Sequence, residues 1–228
     1  MFMRELERQL DIGKICMELY DAMSTLRAVR RLKPDPIPED VVNRMLEAAT
    51  WAPTGGNVQP WRMIAVTDAD KKQVLEDLYR PRWEAYIPGY ESRMEKMPEA
   101  SRTSSRRALE AGTYLATHMH EAPLIAVFCF NPSIMAVTDI DQPRTSIVGG
   151  GSVYPAVQNF LLAARNEGLG CVLTTLLCYD EPEVKSLLDI PEDWYTCAHV
   201  PVGYPVKGGH GSISRKPIEK MVSYNSWS

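Results

Sequence analysis

Hydrophobic positions recur along this chain with two different spacings, which predict helices in some segments and strands in others. Spacings of three and four residues predict a helix within residues 1–23 and a second one that opens at Pro38, where Val42, Met45 and Ala49 share a face. Continuous apolar runs predict buried strands. These runs cover residues 61–67, 124–130, 171–177 and 196–202.

A third helical stripe, which includes Val157, Phe160 and Ala164, predicts the central helix of the core. It stops at Gly168 and Gly170, which is the usual glycine chemistry of a helix C-terminus. Asp68 is expected to cap a further helix that runs to about Leu78. The order of elements predicts one α+β domain over residues 1–228, with a mixed central sheet flanked by helices.

Three segments carry no clear period. The lid segment, residues 80–107, contains several aromatic residues interrupted by prolines, and it is either a lid over a flat ligand or a disordered insertion. Residues 131–150 are expected to form a loop. The arm, residues 204–228, has too few apolar residues to fold alone, so it is expected to wrap its own domain or a partner subunit.

The cradle, residues 52–61, joins the Pro38 helix to the first predicted strand. Pro53, Gly55 and Gly56 favour an irregular backbone there, and they surround the polar residues Thr54, Asn57 and Gln59. This pattern predicts either an ordinary helix-to-strand turn or a binding site for a polar ligand.

Three arginines stand close together between the first two helices. Arg27, Arg30 and Arg31 form either a solvated helix end or an anion clamp, because guanidinium groups match phosphate oxygens in a bidentate geometry. Together with the cradle and with Thr174 and Thr175 at a strand end, they suggest a site for a flat, phosphorylated ligand.

Composition narrows the possible partners. The formal net charge of −4 is not typical of a nucleic-acid-binding surface, and no apolar run is long enough to span a bilayer. The acidic N-terminus does not resemble a signal peptide, so a cytoplasmic location is expected. The five cysteines include no CxxC motif and are expected to be buried free thiols. The spacing of cysteines and histidines does not match that of zinc ligands, so no metal is expected.

Four motifs in order resemble the nitroreductase superfamily of FMN enzymes. They are the arginine segment at residues 27–32, the cradle with its Asn-Val-Gln-Pro-Trp ending, the helix at 158–170, and the closing strand at 200–205 with Arg215-Lys216-Pro217. The resemblance implies a domain-exchanged homodimer with FMN at the subunit interface. Some likeness to the iodotyrosine-deiodinase branch is also present.

The resemblance also implies the roles of individual residues. Arg27, Arg30, Arg31 and Arg215 would hold the flavin phosphate, and the cradle residues Pro53, Thr54, Gly55, Asn57 and Gln59 would line the ribityl chain and ring edge. Thr174 and Thr175 would face the ring, and Thr175 would contact flavin N5 as the catalytic residue. Ala28 stands where relatives carry a serine, which removes one hydroxyl contact. Glu84, Tyr86 and Tyr90 do not keep the spacing of the residues that grip the substrate in deiodinases.

The expected function is therefore an FMN-dependent NAD(P)H oxidoreductase. It would pass hydride from nicotinamide to flavin N5 and then to a nitroaromatic, quinone or similar acceptor by a ping-pong mechanism. Two alternatives remain open at this point. One is a specialised flavin reaction, such as dehalogenation, dehydrogenation or flavin fragmentation, and the other is a non-catalytic protein that stores or senses FMN.

Overall fold

The computed structural model describes residues 17–227, which form an α+β fold, as predicted. The described helices are α1 (Leu19–Thr25), α2 (Glu39–Thr50), α3 (Ala69–Glu95), α4 (Glu99–Ala116), α5 (Tyr154–Asn166) and α6 (Glu181–Leu187). The strands are β1 (Trp61–Val66), β2 (Leu124–Phe130), β3 (Gly170–Cys171) and β4 (Tyr195–Gly203). Most of the helix predicted over residues 1–23 lies outside the described residues.

The sheet has the strand order β1-β2-β4-β3, and each neighbouring pair is antiparallel. A mixed sheet was predicted, but within residues 17–227 parallel pairing is limited to one bridge between Ala28 and Cys171. This bridge places the arginine segment along the outer edge of β3.

Each face of the sheet carries its own hydrophobic core. On one face, α2 and α5 pack on side chains such as Phe128 and Val200. On the other face, α3, α4 and α6 cover side chains such as Ile125 and Val127. Because both faces are buried, β1, β2 and β4 have nearly continuous apolar sequences, and their predicted bounds are confirmed to within one residue.

The third predicted strand is much shorter than expected. The register that pairs Cys171 with Val202 continues to a bridge between Thr174 and His199, but residues 176–180 then form a 3₁₀ turn. The Leu176 N–H donates to the Thr174 hydroxyl oxygen at 3.3 Å instead of to a neighbouring strand. Local bonding of this kind competes with sheet pairing.

Helix α3 was predicted to end near Leu78. In the structure it continues through Pro81 and Pro88 to Glu95. Proline removes one helical hydrogen bond, at a cost of about 3 kcal/mol. Both prolines are exposed, so water can reach the carbonyl groups that lose their donors. The buried stripe of Leu75, Tyr79 and Trp83 stabilises the helix on its other side.

The lid segment is therefore helical in this structure, since it forms the second part of α3 and the first part of α4. Its role as a lid stays a prediction. No helix within residues 17–227 combines the length and the apolar character needed to cross a membrane.

Candidate functional site

The first half of the site lies along the outer edge of β3. The Val29 N–H donates to the Cys171 carbonyl oxygen at 2.9 Å, and this bond holds the arginine segment against the strand. Gly170 permits the close approach, because a Cβ atom there would lie 2.6 Å from Val29 Cγ1. Arg27 and Arg30 are thereby held on either side of the Ala28 bridge.

The arm runs back along the same segment in the opposite direction. The Lys33 N–H donates to Tyr204 at 2.8 Å, and further along the arm the N–H groups of Gly211 and Ile213 donate to Thr25 and Ser24 at 3.3 Å each. His210 bonds the Leu169 carbonyl oxygen through Nε2 at 2.9 Å. The first part of the arm therefore wraps its own domain and passes beside Arg27.

The last part of the arm has a different environment. Ile218, Met221 and Tyr224 are exposed, and Trp227 is fully exposed. Apolar side chains of this size on one short segment are typical of a surface that another chain covers. The arm thus packs on its own domain up to about residue 213 and presents apolar side chains beyond it.

The arginines at this edge have no acidic partners. Among the described residues, no carboxylate forms a salt bridge with Arg27, Arg30 or Arg215. Arg215 donates to the carbonyl oxygen of Ser214, at 2.8 Å. An edge with several uncompensated guanidinium groups favours an anion, and phosphate is the anion that Arg recognises best.

Thr174 and Arg30 converge on Tyr79 of α3. The Thr174 side chain is buried and lies close enough to the Tyr79 hydroxyl to influence its ionisation. Burial raises the pKa of Tyr79, while the neighbouring Thr174 hydroxyl and the positive charge of Arg30 act against that rise. The next residue, Thr175, is exposed at the start of the 3₁₀ turn, so its hydroxyl is accessible to a ligand.

Tyr79 was not predicted as a site residue. It was grouped with the aromatic residues of the lid, but it falls on the buried helical stripe with Leu75 and Trp83. A tyrosine on a buried stripe still needs a partner for its hydroxyl. That requirement was the only sequence signal for a polar contact at this position.

Arg31 is held differently from the other arginines. Its guanidinium carbon lies 4.4 Å from the centre of the Tyr114 ring on α4, and Tyr114 in turn stacks on His118. Arg31 therefore contacts α4, whereas Arg30 faces α3.

The cradle has an unusual backbone. Gly56, Asn57 and Gln59 all have positive φ angles of 59°, 55° and 49°. The Thr54 hydroxyl oxygen accepts the Gln59 N–H at 3.1 Å and stabilises this turn. Positive φ is uncommon for non-glycine residues and clusters at ligand-binding segments.

The cradle leaves polar groups accessible to a ligand. The Gln59 amide donates to the Asn57 side-chain oxygen at 3.3 Å, and both residues are exposed. The Gly55 N–H donates to the Ser152 hydroxyl oxygen at 3.3 Å. Ser152 follows three consecutive glycines, and nothing in its sequence context indicated a contact with the cradle.

The cradle and the arginine segment lie at opposite corners of the sheet. Trp61, at the end of the cradle, pairs with Phe130, which pairs with Tyr195 at the start of β4. Ala28 pairs with Cys171, which pairs with Val202 near the end of β4. Strand rise and strand spacing separate the two corners by about 30 Å. One chain therefore does not bring the two parts of the predicted site together.

The four cysteines within residues 17–227 offer no nucleophile, and Cys16 lies outside the described residues. Cys129, Cys171 and Cys197 are free and buried, as predicted, and Cys178 is partly buried. Burial raises the pKa of Cys129 and Cys171 to about 12, so these thiols stay protonated. Within residues 17–227, no group of His, Cys, Asp and Glu side chains is arranged to hold a metal ion.

Comparisons with known proteins point to one family. The model of the nitroreductase family matches residues 25–204. The 5,6-dimethylbenzimidazole synthase of Rhodospirillum rubrum is 33% identical over 182 residues, which cover 78% of each chain. An NADH dehydrogenase of Thermus thermophilus is 25% identical, with 86% of this chain and 90% of that protein covered.

A solved structure also shares the fold. Iodotyrosine deiodinase bound to FMN and 3-iodo-L-tyrosine superposes with a TM-score of 0.65 and 25% identity, over 92% of this chain and the whole of that chain. The three relatives carry three different activities on one fold, so the fold alone does not select the reaction.

Proposed function

Since the chain belongs to the nitroreductase family, a family of FMN-dependent oxidoreductases, we propose that it passes hydride from NAD(P)H through bound FMN to a small aromatic or quinone-like acceptor. The observation that carries the proposal is that Arg27 and Arg30, which flank the Ala28 bridge to β3, have no carboxylate partner among the described residues, while Thr175, four residues after β3, is exposed. When bound there, FMN supplies the hydride chemistry, and the protein supplies binding, orientation and charge.

The residues present fit FMN. Arg27 and Arg30 are free to hold its phosphate, and Arg215 lies on the arm that passes beside them. Thr175 would contact the ring with its exposed hydroxyl, whereas the buried Thr174 would support it from the side of α3. Positive charge at this edge would also favour the reduced, anionic form of the flavin over the oxidised form.

The second half of the site would come from a partner subunit. The cradle lies at the opposite corner of the sheet from Arg27 and Arg30, farther than one mononucleotide extends. In a homodimer, the cradle of each subunit would face the arginine segment of the other subunit. The dimer would then contain two complete sites. The apolar end of the arm, with Tyr224 and Trp227 exposed, suits contact with a second copy.

The acceptor would lie under α3. The Arg82 Nε donates to the Asp180 carboxylate at 2.7 Å, which ties α3 to the turn that begins at Thr175. Three aromatic residues follow Arg82 on α3. The ring centres of Trp83 and Tyr86 are 5.6 Å apart, and those of Tyr86 and Tyr90 are 5.9 Å apart. Trp83 belongs to the core, so the exposed Tyr86 is the ring of this row that suits a flat acceptor, and it gives the lid segment its proposed role.

The test uses the purified protein loaded with FMN in the absence of oxygen. We expect NADH or NADPH to bleach the flavin absorbance rapidly, and a quinone or nitroaromatic added afterwards to restore it. Flavin that dithionite reduces but neither nicotinamide does would contradict the reductase. A protein that takes up no FMN would contradict the flavin site itself.

A second candidate follows from the 33% identity to a 5,6-dimethylbenzimidazole synthase. In this case the bound flavin would be the substrate and would be consumed rather than recycled. Incubation of the FMN-loaded protein with reductant and oxygen, followed by mass spectrometry of the released small molecules, separates the two. Recovery of intact FMN after many turnovers favours the reductase, and a benzimidazole product favours the synthase.

A further inference from the structure

His199 is a fully buried histidine in the middle of β4. Its side chain is completely inaccessible, and neither Nδ1 nor Nε2 has a hydrogen-bond partner among the described residues. Buried polar atoms are nearly always hydrogen-bonded, to protein or to an ordered water molecule. An imidazole with two unpartnered nitrogens therefore calls for an explanation.

The backbone of His199 is bound to the strand end that carries the proposed flavin contacts. Its N–H and C=O both pair with Thr174, at 2.9 Å each. Directly opposed residues of an antiparallel pair project their side chains from the same face. The imidazole and the Thr174 hydroxyl thus lie on the face that α3 covers, where the Tyr79 hydroxyl is near Thr174.

The imidazole is neutral at physiological pH. Burial lowers the pKa of His199 to about 4. A neutral imidazole offers one donor and one acceptor, which is what two neighbouring hydroxyl groups require. The positive charge of Arg30 acts on Tyr79 of this cluster and lowers its pKa against the effect of burial.

We propose that His199 is a positioning residue whose two unpartnered ring nitrogens bind buried water, which orients Thr174 and Tyr79 and so fixes Thr175 against the flavin. Thr175 follows Thr174 directly in the chain, so rotation of the Thr174 side chain or slippage of its backbone changes where the Thr175 hydroxyl lies. The inference rests on the proposed flavin site, but the buried cluster of His199, Thr174 and Tyr79 exists without a ligand.

The first experiment compares His199→Leu, which keeps the volume but removes both nitrogens, with His199→Gln, which restores a donor and an acceptor. We expect His199→Leu to slow hydride transfer on the order of 10- to 100-fold, because small misplacements in a site have effects of this size. The KM for NAD(P)H should change little, and the midpoint potential of bound FMN should shift. His199→Gln should recover most of the rate and of the potential.

The matched control is Val200→Ala. Val200 is the next residue, equally buried, but it faces the opposite core. It should lower stability and leave the FMN potential unchanged. Equal losses in His199→Leu and His199→Gln, or an equal potential shift in Val200→Ala, would overturn the proposal in favour of a purely packing role.

The second experiment needs neither flavin nor a folded His199 variant. In the flavin-free wild-type protein, proton and nitrogen NMR should show a neutral His199 with a hydrogen-bonded, downfield ring N–H, and Tyr79→Phe should move that resonance. A ring N–H that does not respond to Tyr79→Phe overturns the inference even if the protein is an FMN reductase. A wild-type protein that binds no FMN but shows the coupled resonance would overturn the proposed function instead, and with it the part of this inference that concerns Thr175.

Discussion

The guanidinium carbon of Arg31 lies 4.4 Å above the centre of the Tyr114 ring of α4, whereas the charge of Arg30 acts on Tyr79 of α3. Two adjacent arginines of one motif therefore serve different helices. Both were predicted to bind the flavin phosphate, and their contacts differ enough to separate their roles by mutation.

We expect Arg31→Ala to act mainly on stability. A partly exposed cation–π contact contributes about 0.5–1 kcal/mol, so the variant should unfold at a slightly lower denaturant concentration and keep an FMN dissociation constant within about threefold of wild type. Equilibrium unfolding and a fluorescence titration with FMN measure the two effects. A large loss of FMN affinity with unchanged stability would show that Arg31 leaves Tyr114 to bind the cofactor.

Arg27→Ala should act mainly on cofactor binding. Arg27 is exposed and has no carboxylate partner among residues 17–227, so its removal leaves no buried group unpaired. Loss of one charged hydrogen bond to phosphate costs about 1.5–3 kcal/mol, or roughly 10- to 100-fold in affinity. The purified variant should lose its yellow colour on dialysis. Arg107→Ala, an exposed arginine on α4, is the control and should stay yellow.

The composite site can be tested with mixed dimers. One subunit carries Arg27→Ala with Arg30→Ala, and the other carries Gly55→Trp, which fills the cradle. Gly55 is exposed, and a Cβ atom there meets the Ser152 hydroxyl oxygen at 3.7 Å, an ordinary contact, so the backbone accepts a side chain at this position; circular dichroism of the variant checks that it is folded. If each site combines the arginines of one subunit with the cradle of the other, the mixed dimer holds one intact site and one doubly altered site.

We therefore expect neither altered homodimer to retain FMN, while the mixed dimer, isolated by two different affinity tags, retains one FMN per two chains. Absorbance ratios of flavin to protein give this stoichiometry directly. A mixed dimer without FMN would contradict the shared site, because a site built within one chain would be damaged in both subunits. A monomer in solution would contradict it as well.

Short-range signals were sufficient for much of the fold. Strands β1, β2 and β4 are buried on both faces, so their apolar runs marked their ends almost to the residue. Strand β3 was overestimated because a threonine such as Thr174 suits a strand but can also bond the N–H two residues later. Helix α3 was underestimated because its proline positions, Pro81 and Pro88, are exposed, and exposure is a property of the tertiary structure.

The candidate site was predictable only in part, for a related reason. The arginines, the cradle and the two threonines each have a local pattern, and these patterns resemble one family. The contact of Ser152 with Gly55 and the cluster of Tyr79 with Thr174 and His199 join residues far apart in the chain. Contacts of this kind produce no periodic pattern or motif in a single sequence. The distance across the sheet between the cradle and Arg27 also cannot be read from the sequence.

Asp139 stabilises the loop before α5 in a pH-dependent way. The hydroxyl of Ser146, followed by the guanidinium of Arg144 and the N–H of Ile147, lowers the pKa of Asp139 to about 2. Because the pKa is lower in the folded state than the unfolded value near 4, the contribution to stability is complete above about pH 5 and is lost as the pH falls through about 2.

Thermal melting of wild type and Asp139→Asn between pH 2 and 7 checks this sign. The difference in melting temperature should be constant from pH 5 to 7 and should shrink as the pH falls toward 2. Asp141→Asn is the control, since Asp141 is an exposed residue of the same loop. A difference that grows toward low pH would contradict the assigned role of the Asp139 carboxylate.

Gly112 of α4 and Gly89 of α3 should respond to alanine in opposite directions. Alanine is favoured over glycine within a helix by about 0.5–1 kcal/mol. At Gly112 a Cβ atom would lie 2.2 Å from Trp83 Cη2, and Trp83 is buried and held by a hydrogen bond to Thr113, so overpacking should cost about 1–3 kcal/mol. At Gly89 nothing lies within 4 Å of the added atom.

Gly112→Ala should therefore lower the melting temperature by several degrees, roughly 2–4 °C for each kcal/mol, while Gly89→Ala should leave it unchanged or raise it slightly. Equal melting temperatures for the two variants would show that α3 and α4 do not pack through Trp83 in solution.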